Sequence, residues 1–212
     1  MLTYQRVDRE RGVQRESSEA RERVLQHAEH LFSERGYAAV TLRDIAAGLG
    51  IRQSSLYHHV PGGKEELYIE VTARNLRRHH RGLETALATS GGVRAQLRAA
   101  AGWLLSQPPM NLSRMVRSDL PAIAKAHADQ LLAISYETLF APLEGALRRA
   151  ERDGEVRAHN PVLLAATFIS LVEGLWDTYG GRADEQQRDL LATELIDVLL
   201  DGLRPRGKQG AA

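Results

Sequence analysis

Apolar residues recur every three or four positions along almost the whole chain, and nowhere do they alternate over the length of a strand. That rhythm admits helices and leaves no sheet as the organising layer. Val24, Leu25, Ala28, Leu31 and Phe32 share one face of a helix predicted from Ser18 to Glu34, with Gly36 as its stop. Leu42, Ile45, Ala46 and Leu49 follow the same spacing and end at Gly50. A third short helix runs from Ser54 to His59, and a long one from Lys64 to about Thr89. Beyond these come "GVRAQLRAAAGWLLSQ", a short element near 112–118, and a long helix from Ala122 to Arg152. Two more, opening at Pro161 and Asp184, complete an all-α chain of about nine helices.

The pattern predicts four segments. Residues 1–17 mix charges without a stripe and read as a flexible arm, although Arg6, Arg9, Arg11 and Arg15 suit a minor groove. Residues 18–65 form a three-helix domain, 66–205 a larger helical domain, and 206–212 a frayed tail. At 212 residues there is enough chain for a sizeable core. The chain has no cysteine, which excludes disulfides and thiolate metal sites. The first twenty residues carry charges throughout and lack the apolar stretch of a signal peptide. "PVLLAATFISLV" stops at Glu173, short of a bilayer's span, so no membrane partner and a cytoplasmic location are expected. A formal charge of +1 announces no nucleic-acid binder by itself. Residues 1–80, however, hold 13 Lys and Arg against 11 Asp and Glu, with six of the eight histidines. That is a mild lean toward an anionic partner at this end.

The stretch "DIAAGLGIRQSSLYHHVPGGKEEL", Asp44 to Leu67, concentrates the chemistry. A phosphate-binding loop needs glycine where His58 stands and a hydroxyl where Glu65 stands, after a strand that is missing. A metal site fails as well. His58 and His59 are adjacent, as are His79 and His80, so neither pair converges on one ion, and His27 with His30 lacks a third ligand. The remaining reading is a helix-turn-helix. Thr41 with Asp44 caps the first helix, Gly50 makes the turn, and Ile45, Leu49, Ile51 and Leu56 lock the pair. The outward side of the second helix is then Arg52, Gln53, Ser54, Ser55 and His58: hydrogen-bonding throughout and free of acid, as a helix facing base edges and phosphates must be. The alternative for the same face is a solvated polar side of an ordinary bundle.

"TLRDIAAGLGIRQSSLYHHVPGGKEEL" resembles the DNA-binding signature of the TetR family of transcriptional regulators, with the strong similarity confined to about residues 20–70. The resemblance implies a homodimer, a helical domain that dimerises and binds a small-molecule effector, and a double-stranded operator as partner. It further implies that Thr41 and Tyr57 reach the DNA backbone, that Lys64 meets a phosphate, and that Gln53, Ser54, Ser55 and His58 read bases. Arg43 is a further phosphate contact. The chain departs from the family pattern at three places. Arg52 replaces a small capping residue, Val60 an aromatic, and "PGGK" is one residue longer than the usual turn.

In the helix after Asn160, Leu164, Phe168, Leu171 and Leu175 form one apolar stripe and Val162, Ala165, Ile169, Val172 and Trp176 another. Leu191, Leu195 and Val198 do the same in the last helix, beside Ile196, Leu199 and Leu203. Helices apolar on most sides must be buried on most sides, which a second copy achieves through a four-helix interface. Trp103, Met110, Met115, His127, Tyr136, Phe140, Phe168 and Trp176 are the candidates for an effector pocket, with His127 as its polar anchor. No nucleophile stands beside a recognisable base, so no enzymatic activity is expected, and neither a metal nor another cofactor. The competing reading is an all-helical small-molecule-binding protein or enzyme in which the helix-turn-helix only packs.

Overall fold

In a computed structural model, the described backbone covers residues 2–157, 159–179 and 182–203, with side chains described from Ser18 onward; the predicted tail 206–212 lies outside. Among the described residues there is no strand. The helices are α1 (Leu2–Ala39), α2 (Leu42–Gly48), α3 (Gln53–Leu56), α4 (Gly63–Leu87), α5 (Gly92–Ser106), α6 (Leu112–Arg114), α7 (Lys125–Ser135), α8 (Ala141–Arg152), α9 (Pro161–Tyr179) and α10 (Glu185–Asp201). The chain folds as two compact units, residues 1–75 with 112–131 and residues 76–111 with 132–212. The expected boundary at 65/66 therefore moves ten residues on. The segment 112–131, assigned from the sequence to the larger domain, belongs to the first unit, because its apolar side chains pack there rather than where the order of the chain suggests.

α1 is a correction too, since its helix starts at Leu2 and takes in the residues read as a flexible arm. Arg, Glu and Gln between Gln5 and Glu16 are good helix formers without an apolar stripe, so periodicity missed what propensity favours. Val24, Leu25, Ala28, Leu31 and Phe32 are all buried, as their spacing requires. Gly36 breaks the helix with φ 79° and ψ 168°, a conformation open essentially to glycine alone. Around it the core of the first unit closes with Val40, Ile45, Leu56, Val60, Leu67 and Val71. Val60, at the aromatic position of the family pattern, is simply core.

The helix expected from Ala122 to Arg152 starts late and is interrupted once, with a proline at each place. Pro121 sits in a 3-10 turn (Leu120–Ala122) and Ile123 is extended, so the helix predicted from Ala122 starts at Lys125. Between α7 and α8 a π-helical turn spans Tyr136–Phe140. Pro142 has no N–H for the carbonyl of Thr138 four residues back, and its ring crowds that oxygen. The His80 imidazole takes up the freed carbonyl at 3.3 Å from Nδ1, and the Thr138 hydroxyl donates to Ile134 O at 2.6 Å.

The second unit packs α5 against α8, α9 and α10. Arg94 on α5 bridges to Asp197 and Asp201 on α10. Ala165, Phe168, Ile169 and Val172 are the buried residues of α9; Ala192, Ile196 and Leu200 are those of α10. α9 is long and apolar enough to cross a membrane by length and composition, contrary to the shorter span read from the sequence, with only 22% of that window buried. Its apolar surplus is outward: Val162, Leu163 and Leu171 are exposed, as are Leu190 and Val198 on α10.

Candidate nucleic-acid interface

The site begins with a cap. The backbone N–H of Asp44 donates to Thr41 Oγ1 at 3.1 Å, and the N–H of Thr41 donates to Asp44 Oδ2 at 2.9 Å, a reciprocal capping box that fixes the start of α2. The Thr41 hydroxyl also donates to Asp44 Oδ2 at 2.6 Å. Its one proton is therefore engaged by the cap. These hydrogen bonds hold the Asp44 carboxyl below the usual carboxylate range.

The end of α2 is equally determined. Ile51 N–H donates to Ala46 O at 3.0 Å and Gly50 N–H to Ala47 O at 3.1 Å, closing the open carbonyls, with Gly50 at φ 66°. This turn delivers α3. Leu56, fully buried, is its single anchor to the core. Ile51 does not join the lock predicted for it: it is 36% exposed, because the turn carries it outward. Arg52 caps α3 without any side-chain hydrogen bond, as its identity implies, so its guanidinium serves no cap.

One buried position in α3 leaves the rest of the helix outside. Arg52, Gln53, Ser54, Ser55 and His58 are exposed, together with Tyr57 at 47%. Arg43 and Thr41 on the α2 side are, respectively, exposed and engaged in the cap. No acidic residue occurs between Arg52 and Lys64. The structure thus exposes the predicted residues of α3 together with Arg43, while Lys64, at the start of α4, is half-buried and held differently from the others. Its ammonium lies 4.1 Å from the centre of the Tyr37 ring, and burial pushes its pKa down while Asp119 opposes that shift.

Tyr37 and Asp119 were not legible as site residues. Nothing in the sequence signals that the Tyr37 N–H will donate to Asp119 Oδ1 at 2.8 Å across 82 positions of chain. Likewise, Glu65 Oε1 accepts from Ala124 N–H at 2.9 Å and lies 2.6 Å from Nδ1 of His127.

Two of the eight residues expected in the effector pocket, Met115 and His127, stand in the first unit. His127, the pocket's proposed anchor, is an exposed partner of Glu65 in the first unit, and Met115 is in the core of that unit. In the second unit a small cavity is lined by His79, Leu104, Pro108, Pro109, Met110, Ile169, Val172, Glu173 and Trp176. Of the eight predicted residues only Met110 and Trp176 reach it. Trp103 lies against Gly82, Tyr136 is exposed and donates to Glu144 at 3.3 Å, Phe168 is core, and Phe140 is half-buried elsewhere. Trp176 is fixed there by its indole N–H, which donates to Gln107 O at 2.5 Å. The cavity measures about 20 Å³, room for little more than one water. Among the described residues no group of three or more His, Cys, Asp or Glu is placed to hold a metal.

Residues 24–71, the stretch just described, match the model of bacterial regulatory proteins of the tetR family. These residues carry the DNA-binding domain of that family. The match extends beyond the helix-turn-helix: the HTH-type transcriptional repressor KstR2 of Rhodococcus jostii (strain RHA1) is 29% identical over 194 residues, 86% of this chain and 90% of that protein. The crystal structure of the TetR-family regulator PfmR from Thermus thermophilus superposes with a TM-score of 0.69 at 25% identity, covering 88% of this chain and 98% of that one. AibR, solved with isovaleryl coenzyme A and operator DNA, superposes with a TM-score of 0.69 at 19% identity over 85% of this chain and 97% of its own, a likeness of fold. The chain is accordingly a transcriptional regulator with an N-terminal DNA-binding helix-turn-helix.

Proposed function

We propose that this regulator is a homodimeric repressor that binds a palindromic operator and is released by a small-molecule effector. The observation that carries the reading is the α3 surface: five hydrogen-bonding side chains and a tyrosine, acid-free and exposed, on a short helix whose one buried residue is Leu56. In this reading Gln53, Ser54, Ser55 and His58 meet base edges in the major groove, while Arg43, Arg52, Tyr57 and Lys64 meet phosphates. Thr41 contributes mainly by fixing α2, its hydroxyl proton already being given to Asp44. The reaction chemistry of an enzyme has no residues assigned to it, and the protein acts in the cytoplasm, where its DNA is.

The second copy is argued from the unpartnered faces of α9 and α10. Leu171 and Val198 are exposed, and Leu164, Leu175, Leu191 and Leu195 are only half-buried. Phe168 leaves this set, being 1% exposed within one subunit. Pairing two such faces removes the apolar surplus and sets two recognition helices for half-sites about 34–36 Å apart.

The effector is argued from the cavity beside Trp176. Its walls are apolar apart from His79 and Glu173, and it is too small for a ligand as it stands. A ligand with an apolar body and a polar end therefore enters by opening it, and favours a state that no longer matches the operator. The isovaleryl coenzyme A bound by AibR is an example of such a ligand in a protein of this fold.

The test is titration of the purified protein with a duplex from the intergenic region upstream of its own gene, over a salt series, beside a Tyr57→Ala, Lys64→Ala double variant. Saturable, sequence-preferring binding that weakens steeply with salt and is lost in the variant is expected. Equal weak binding to every duplex by both proteins refutes the reading.

A further inference from the structure

Asp119 is one of few carboxylates drawn into the interior, 3% exposed at the end of a π-helical turn (Met115–Asp119). Its Oδ1 accepts the Tyr37 N–H at 2.8 Å; its Oδ2 accepts the Tyr68 hydroxyl at 3.4 Å and lies 3.7 Å from Arg114 Nε. The same guanidinium donates to Ser33 O at 2.6 Å, Phe32 O at 3.0 Å and Glu34 O at 3.3 Å. Those are carbonyls that α1 leaves open before its break at Gly36. Burying a carboxylate and a guanidinium together is a weak source of stability by itself, since the desolvation offsets most of the attraction. π-helical turns, moreover, concentrate where function needs a local distortion.

What this pair holds is Tyr37. Its backbone is tied to Asp119, and its ring sits 6.2 Å from that of Phe32 and 5.0 Å from that of Tyr68. On its face rests the Lys64 ammonium, 4.1 Å from the ring centre. A lysine has three donors and the ring takes up one direction, which leaves the others for an anion. The placement of the Lys64 charge is thus inherited from Tyr37, and that of Tyr37 from Asp119.

We propose that Asp119, with Arg114, is a positioning residue for DNA binding: it fixes the Tyr37 platform that keeps the Lys64 ammonium in place to meet a phosphate. This rests on Lys64 being a phosphate contact, as argued above. Neither Asp119 nor Arg114 touches DNA. Their effect is read through one lysine, and this separates the inference from a general role in folding.

The experiment compares wild type, Asp119→Asn, Tyr37→Leu, Lys64→Ala and the Asp119→Asn, Lys64→Ala double variant on the upstream duplex across a salt series, with thermal midpoints measured alongside. Asp119→Asn is expected to weaken binding about tenfold and to lower the slope of log K against log salt by about one, the signature of one lost phosphate contact. Tyr37→Leu, which keeps the apolar fill and loses the ring face, is expected to reproduce that change even where Asp119→Asn folds poorly. The double variant is expected to bind no more weakly than Lys64→Ala alone. Should Asp119→Asn and Tyr37→Leu keep the wild-type slope while Lys64→Ala loses one, or should the losses add, the positioning role is refuted and Lys64 as a phosphate contact stands. A wild-type slope in Lys64→Ala itself refutes that contact and this inference together.

Discussion

Replacing Gly36 with alanine should cost this protein far more than the same change at Gly50, although both glycines have positive φ. Gly50 turns α2 into α3 at φ 66°, with nothing within 4 Å of where a Cβ would stand. Alanine there meets only the left-handed penalty, about 1–2 kcal/mol. Gly36 has φ 79° and ψ 168°, outside the left-handed helical region and nearly closed to any side chain, at about 1–3 kcal/mol. Its new methyl would also lie 3.0 Å from Asp119 Oδ1 and 3.2 Å from Arg114 Cδ and Nε. Those atoms must retreat by a few tenths of an ångström, which weakens the charged hydrogen bond to the Tyr37 N–H, a further loss of about 1.5–3 kcal/mol. Together these give about 2.5–6 kcal/mol for Gly36→Ala, about 1.5–4 more than for Gly50→Ala. Urea unfolding of the two variants beside wild type, followed by circular dichroism, measures the difference directly. Equal losses would refute the account of the break as a point fixed by Asp119 and Arg114.

Thr41→Ala removes the acceptor for the Asp44 N–H and should lower stability by about 1 kcal/mol, with Thr41→Ser close to wild type in thermal unfolding. Phe168→Ala empties a fully buried position and should cost about 3–5 kcal/mol, whereas Leu171→Glu should instead convert dimer to monomer in sedimentation. The Glu65 carboxyl is held below the usual carboxylate range by its hydrogen bond to His127 and by the Ala124 N–H. A depressed carboxylate stabilises the fold at neutral pH, and the benefit is lost as pH falls through that lowered pKa. Glu65→Gln should therefore be less sensitive than wild type to acid in the urea midpoint measured below the usual carboxylate range.

The helices and the surface of α3 were legible because each rests on signals a few residues apart. Thr41 and Asp44 are three apart, Gly50 follows its stripe at once, and Leu56 is the only apolar residue of its short helix. Such local terms are nearly independent of the rest of the fold. The interruption at Pro142 is equally open to inspection, but a reading by periodicity alone runs straight through it. Phe168 and Leu171 show the limit of that method. Both belong to the stripe through Leu164 and Leu175, yet one is core and the other bare, because an apolar stripe tells that a face is to be covered and not by what.

The sequence by itself therefore determined the class of fold, the position and start of the reading helix, and the residues that helix turns outward. Only the tertiary structure decided which unit holds residues 112–131, that His127 meets Glu65, that Lys64 rests on the Tyr37 ring, and that the Tyr37 N–H donates to Asp119. The physical reason is distance along the chain. A cap or a stripe is made by neighbours, whereas a buried charge finds its partners wherever packing brings them, here 82 residues away between Tyr37 and Asp119.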